Sequence, residues 1–313
     1  MSQKIVTIDV ERIAQWGKRV PGLQRIVGPI QSRRRAALKG ILGASENVEP
    51  VATGQKGIEA DLKEGDPWFF EHYISAVNHV RDFIGGEDLS LEGATVADIG
   101  CGDGIIDLGI AKRLNPQRLV GFDIEKVDKA GLAQKALTML GEPALPKNLS
   151  FVQSEERGIP AEDASFDWAV SWSAFEHISD PLSVAKEIRR ILKPTGLFFL
   201  QLYPFYHSEW GSHLEEWFPQ PFVQHRSSTE EIASHLRANP LVDRPDWNEV
   251  LVSAFNTLNR ITLDDLHQAL RGAGFSIVRA ELYTNTVRIP PETQDIPLSS
   301  VMISGVKLLA RPE

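Results

Sequence analysis

One cysteine in 313 residues, Cys101, leaves no intrachain disulfide and no cysteine-rich zinc site. The reducing cytoplasm is then the expected compartment. Long apolar runs are also missing. Ile99–Ile110 is interrupted by glycine and aspartate, so it falls short of the roughly 18 apolar residues of a membrane span. Met1–Val10 has neither an apolar core nor a small-residue cleavage site, and no secretory leader is expected. Positive charge is scarce: 33 Lys and Arg face 42 Asp and Glu, for a net charge of −9, which argues against a general nucleic-acid binder. There is no internal repeat and no low-complexity tract. What is there, 42% apolar and 24% charged residues, is the composition of an ordinary folded protein with enough chain for a sizeable core.

The charge is unevenly spread. Residues 1–60 hold ten Lys and Arg against five Asp and Glu, with the run Arg33-Arg34-Arg35, so the rest is strongly acidic. That run reads as a solvated arm or as a contact for an acidic partner, an anionic substrate or a membrane surface. Turn signals at Val20-Pro21-Gly22 and Gly28-Pro29 make residues 1–66 an N-terminal arm of short helices and linkers. Asp66-Pro67 then reads as a helix cap and first turn, followed by apolar residues at helical spacing up to Gly85-Gly86.

From Leu91 short β-branched runs alternate with helical segments. Strands are expected at 94–99, 118–123, 149–152, 166–172 and 197–203. Helices are expected at 104–114, 127–140 and 181–192. Such alternation means a parallel sheet with helices on both faces. It pauses over 204–259, an insertion with one helix near Ser228–Ala238. A helix capped by Thr262 and two strands, Phe275–Tyr283 and Val301–Ala310, then supply an antiparallel end to the sheet.

The chemistry concentrates at strand ends. Asp98-Ile99-Gly100-Cys101-Gly102-Asp103-Gly104 closes a strand and opens a helix, where missing Cβ atoms let a ligand approach backbone and helix N–H groups. Asp123 ends the next strand, placed to bind both hydroxyls of a ribose. A nicotinamide site wants G-x-G-x-x-G, but the third position of that pattern holds Ile105, and the glycine is Gly104. Asp98 would repel a pyrophosphate and suits an ammonium. A ligand with ribose and an amino acid but no phosphate fits, and S-adenosylmethionine has that chemistry.

These residues resemble the motifs of class I S-adenosylmethionine-dependent methyltransferases. Asp98–Gly104 is similar to the family's first motif and Asp123 to its second-strand acid. Phe151–Glu155, Ile159-Pro160 and Ser165-Phe166-Asp167 resemble the third and fourth strand regions. Ser171–His177 resembles the segment after the fourth strand, and Leu192–Leu197 the turn into the fifth. The resemblance implies a Rossmann-like, doubly wound α/β fold over 67–313. Its seven-stranded sheet would be mostly parallel, with the last strand antiparallel. It implies a cofactor site drawn from Asp98, Gly100, Cys101, Gly102, Asp123, Ile124, Glu155 and Ser171, with Glu155 at the adenine and Glu156 its competitor. Cys101 reads as a small residue in a tight loop, since no activating base for a nucleophile is identifiable.

His177 follows Glu176 beyond the fourth strand, at the edge where ligands lie. It reads as a general base for a hydroxyl acceptor or as a structural histidine. Tyr206, His207, Glu209, Trp210 and His213 follow the fifth strand. Their rings and polar groups suit a sugar or another polar ring, with His213 as a second candidate base. His207, Glu209 and His213 leave a divalent metal open, but no standard ligand spacing supports one. The aromatic run Trp217–Phe222 reads as a lid, a homo-oligomer contact or a satellite core. The expected activity is methyl transfer from S-adenosylmethionine to a sugar, glycan or other small polar hydroxyl acceptor, without nucleic-acid or transmembrane partners. The rivals are an inactive cofactor-binding scaffold and a nicotinamide-dependent oxidoreductase.

Overall fold

A computed structural model of the chain describes residue 62 and residues 65–239 and 247–313. Most of the expected arm, with Arg33-Arg34-Arg35, lies outside the described residues. The described residues begin with a helix start that works as its sequence suggests. Asp66 accepts from the Phe69 N–H at 3.0 Å, and Pro67 occupies the first turn of α1 (Pro67–Phe70). A π-helical turn (Glu71–Ala76) carries the chain into α2 (Val77–Gly85). The chain then alternates through β1 (Thr95–Ile99), α3 (Ile105–Arg113), β2 (Arg118–Asp123), α4 (Lys129–Leu140), β3 (Leu149–Gln153), β4 (Phe166–Trp172), α5 (Pro181–Ile191) and β5 (Leu192–Leu202). After the insertion, with α6 (Val223–Arg226), α7 (Thr229–Ala238) and α8 (Trp247–Thr257), come α9 (Leu263–Gly272), β6 (Phe275–Thr284), α10 (Leu298–Met302) and β7 (Ile303–Pro312).

The seven strands lie in the order β3-β2-β1-β4-β5-β7-β6. β7 enters antiparallel between β5 and β6, and the pairs from β3 to β5 are parallel. Alternate residues feed two cores. Phe198, Leu200 and Leu202 of β5 pack with α5 and α9, including Ile188, Leu266 and Leu270. Phe199 faces the other way, with Trp168 and Val170 of β4 and with Val80 and Phe83 of α2. Burial on both faces explains the near-continuous apolar runs of these strands. Helix α3 crosses the π-helical turn at backbone distance. A Cβ on Gly109 would stand 2.7 Å from the Tyr73 carbonyl oxygen.

Three features depart from expectation. β5 begins at Leu192, because Leu192 pairs with Phe166 before a bulge, and the register resumes at Trp168 opposite Leu197. The strand expected from Val301 begins at Ile303, since Leu298–Met302 is helical. The insertion gains α8, so it builds a core of its own from Tyr206, Leu214, Ile232, Leu236, Val252 and Phe255, with Trp217 and Phe218 packed against it. Of the readings open for the aromatic run, this is the satellite core. No helix among the described residues is long and apolar enough to cross a membrane.

Candidate active site

In a parallel sheet, the carboxyl ends of the strands form the ligand edge. At the end of β1, Gly100, Gly102 and Gly104 all have positive φ, at 76°, 54° and 76°. Their reasons differ. A Cβ on Gly100 would collide with the Ala174 side chain, and one on Gly104 would lie 2.7 Å from the Phe151 ring. A Cβ on Gly102 would meet nothing within 4 Å. Protein atoms thus impose two of the glycines, and only the exposed Gly102 opens on unfilled space. This corrects the expectation that Gly100 is glycine to admit a ligand.

Asp123, at the end of β2, joins this loop. Its carboxylate accepts from the Gly102 N–H at 2.8 Å and the Glu125 N–H at 2.9 Å. Each oxygen spends one lone pair on backbone and keeps another. Ile124 beside it is 54% exposed, an apolar surface at the strand end. Glu155 and Glu156 are both exposed beyond β3, and Glu155 pairs with Gly158 through backbone bonds of 3.1 and 3.3 Å. Asp103 accepts from Trp68 Nε1 at 3.0 Å and from the Ile105 N–H at 3.1 Å, tying α1 to the glycine loop.

Asp98 does not stand in the open crevice. It is buried, facing Asp107 of α3, which is fully buried. Burial raises Asp98 to about 7, although a hydrogen bond with Asp107 lowers it and Asp123 adds repulsion. Burial and the Asp98 charge raise Asp107 well above the usual carboxylate range. Burial and mutual repulsion thus both favour a proton on this pair. Asp107 was signalled in the sequence only as an acid inside an apolar helix. Two further residues expected at the cofactor are turned to packing. Cys101 is buried in the cluster with Phe151 and Leu132, and burial pushes its thiol up, which removes it as a nucleophile. Ser171 is fully buried and donates its hydroxyl to the Ile99 carbonyl at 2.8 Å, a tie between β4 and β1.

The two histidines singled out from the sequence come together. The rings of His177, beyond β4, and His213, in the insertion, have centroids 5.7 Å apart. Glu176 completes the group: one ligand atom from each of the three residues lies within 4.8 Å of the others. Burial raises Glu176 to about 8, and both its oxygens lack a hydrogen-bond partner. Burial lowers His177, and burial followed by His177 lowers His213 to about 4. In all three groups burial disfavours the charged form.

What holds them carries no signal in the sequence. Asn259 donates both Nδ2 hydrogens, to the Phe175 and Ile178 carbonyls at 2.7 Å each, and its N–H goes to the Glu176 carbonyl at 2.8 Å. Thr257 sits 2.8 Å from His177 Nδ1 and donates its hydroxyl to the Ala254 carbonyl. Neither residue of Thr257-Leu258-Asn259 that does this belongs to a recognisable motif.

Of the expected acceptor-lining residues, Tyr206 and His207 pack within the insertion. Tyr206 is buried in the insertion core, with its hydroxyl toward the Gln224 carbonyl and Arg260 over its ring at 5.0 Å. His207 stacks on His225 at 5.2 Å. Glu209 and Trp210 lend their carbonyls to the turns of the insertion, accepting from the N–H groups of Phe222 and His213. An aromatic run packs this way because its rings bury more surface against one another than against a polar crevice. Among the described residues, the metal-ligand set His207, Glu209 and His213 is not assembled; His213 stands with Glu176 and His177 instead.

The chain is 30% identical over 128 residues to a ubiquinone biosynthesis O-methyltransferase of Xanthomonas oryzae, covering 41% of this chain and 50% of that one. The mitochondrial enzyme of that name from Dictyostelium discoideum is 30% identical over 120 residues, 36% of each chain. The chain thus spans half or less of the length of these relatives. Among solved structures, a geranyl diphosphate methyltransferase in complex with S-adenosylmethionine is 12% identical, with TM-score 0.49 over 85% of this chain and 93% of that one. A methyltransferase from Methanosarcina mazei is 19% identical, with TM-score 0.43 over 73% and 96%. The family model described as "Methyltransferase domain" matches residues 69–280. The open cradle at Gly102 and the spare lone pairs of Asp123 fit a ribose-bearing cofactor. The glycine loop, the acid of the second strand and strands β1 to β5 all lie within that match, and the chain belongs to the methyltransferase domain family.

Proposed function

We propose that this enzyme methylates the oxygen of a small polar hydroxyl acceptor, with sugars and glycans among the candidates. The observation that carries the reading is the convergence of Glu176, His177 and His213 at the strand edge. Two segments distant in sequence meet there and bring two half-buried imidazoles beside a buried carboxyl. A nitrogen acceptor with a free lone pair needs no such group, whereas a hydroxyl must lose its proton during transfer.

S-adenosylmethionine supplies an electrophilic methyl on its sulfonium. The chain's part is to hold and align. Asp123 binds the ribose hydroxyls with the lone pairs that Gly102 and Glu125 leave over. Ile124 flanks the adenine, and Glu155 or Glu156 receives its amine. Gly102 allows the backbone to approach. The Glu176–His177–His213 group engages the acceptor's hydroxyl and promotes loss of its proton, an assistance worth about 10²–10⁴-fold in rate where a general base supplies it. The relatives named O-methyltransferases support oxygen as the methylated atom. Nothing in the insertion singles out a sugar over another ring.

The test is acceptor-dependent formation of S-adenosylhomocysteine by the full chain across sugars, glycans and phenols, with the product bond assigned by NMR. A methyl ether is expected. Transfer confined to nitrogen or carbon would overturn the reading. His177→Ala should then lower single-turnover rate far more than cofactor affinity, and an equal loss in both would deny it a role at the acceptor.

A further inference from the structure

We propose that Glu176, His177 and His213 form a divalent transition-metal site that binds the acceptor's oxygen. Several observations converge on it. The ligand atoms of the three side chains already lie within 4.8 Å of one another. Both Glu176 oxygens and His213 Nε2 are buried without a hydrogen-bond partner, though such groups are costly to bury unmatched. No Lys or Arg among the described residues is paired with the Glu176 carboxylate.

A further contact fixes a tautomer. The Thr257 hydroxyl has one hydrogen, and it goes to the Ala254 carbonyl at 2.8 Å. Thr257 can then only accept from His177 Nδ1, 2.8 Å away. The proton sits on Nδ1, and Nε2 keeps its lone pair. A ring nitrogen freed in this way by an outer partner on the other is the arrangement of metal-bound histidine. The Asn259 bonds to Phe175 and Ile178 hold the ligand loop before any ion arrives.

Two imidazoles and one carboxylate suit Zn²⁺, Co²⁺, Mn²⁺ or Fe²⁺ better than Mg²⁺ or Ca²⁺, which prefer oxygen. Three protein ligands leave positions open for a substrate oxygen. The inference rests on the O-methylation reading for its role, since a bound cation lowers the pKa of a hydroxyl on it. The hydroxyl proton leaves to solvent. The O–CH₃ bond forms as the S–CH₃ bond breaks, and sulfur keeps the electron pair. The histidines act here as ligands, and lowering the hydroxyl's pKa is the way in which the group promotes loss of its proton.

The test is Co²⁺ titration of chelator-treated full-length protein, read by visible absorption, with Zn²⁺ displacement followed by calorimetry. One equivalent should bind and develop a d–d band. The isosteric Glu176→Gln and His213→Ala should each weaken binding at least tenfold while cofactor affinity stays within about twofold, which also reports an intact fold. Failure of the wild-type protein to bind at micromolar Co²⁺ would overturn the proposal. So would binding that survives both variants, which would place the ion elsewhere, as at the His207–His225 pair. Neither readout needs an acceptor. A bound ion without ether formation would uphold the site and fell the O-methylation reading. Ether formation at full rate in chelated protein that takes up no Co²⁺ would do the reverse.

Discussion

Asp107→Asn should alter how the stability of this enzyme depends on pH. In the wild type, Asp98 and Asp107 are buried against each other, and both are raised by burial, Asp98 to about 7. An unfolded aspartate titrates near about 3.9. Between that value and neutrality the folded chain therefore binds protons that the unfolded chain has released. Stability from such groups is fully present below the unfolded pKa and falls as pH rises. Each retained proton costs about 1.4 kcal/mol per pH unit. The substituted side chain would offer Asp98 an amide N–H without needing a proton, so the variant retains about one fewer. From pH 5 to pH 7 the two proteins should diverge by up to about 3 kcal/mol, with the variant gaining on the wild type. Even a third of that is roughly 2–4 °C in melting temperature for a domain of this size. The assay is thermal unfolding of both proteins at the two pH values. Parallel shifts would refute the shared-proton account.

Four further variants have expected outcomes. Gly102→Ala should keep the fold at a cost of about 1–2 kcal/mol for its left-handed backbone yet lose cofactor affinity, because its Cβ would enter open space. Gly100→Ala should lower the melting temperature more, through the clash with Ala174; equal melts for the two variants would contradict this division. Asp123→Ala should weaken cofactor binding by about 1.5–3 kcal/mol by calorimetry, and unchanged affinity in a folded variant would remove it from the ribose. Burial opposes the Asp167 charge, but Lys193 and Thr95 outweigh it and bring the carboxyl down to about 2. Its contribution is present above about pH 4 and fades toward pH 2, so Asp167→Asn should flatten that limb of an acid melt. The loss should be small, about 0.5 kcal/mol, because the pair with Lys193 is over a third exposed.

The sheet was legible because its physics is local. Apolar runs at strand length, the Asp66-Pro67 start and the Thr262 cap, whose hydroxyl accepts from the Asp265 N–H at 3.2 Å, are all written within a few residues. Gly102, Asp123 and His177 could be singled out because they stand at fixed places relative to the strand ends. Other residues were not legible because their meaning is set by distant partners. Asp107 matters through Asp98, Thr257 through His177 and Asn259 through Phe175 and Ile178. Tyr206 and His207 misled for the same reason. An aromatic run says that rings will be packed, and it does not say whether against substrate or against Phe255 and His225.

The Asn259 clamp bears on any attempt to re-engineer acceptor choice. Grafting a foreign insertion between β5 and α9 looks like the exchange of a peripheral module. Yet the last residues of that module, Thr257 and Asn259, splint the loop bearing Glu176 and His177. A chimaera joined after residue 259 would import someone else's splint and let the native loop drift. One joined before Thr257 would change the module and keep its fastening. The boundary of the exchangeable unit is therefore set by two hydrogen-bonding side chains and not by the ends of the secondary structure.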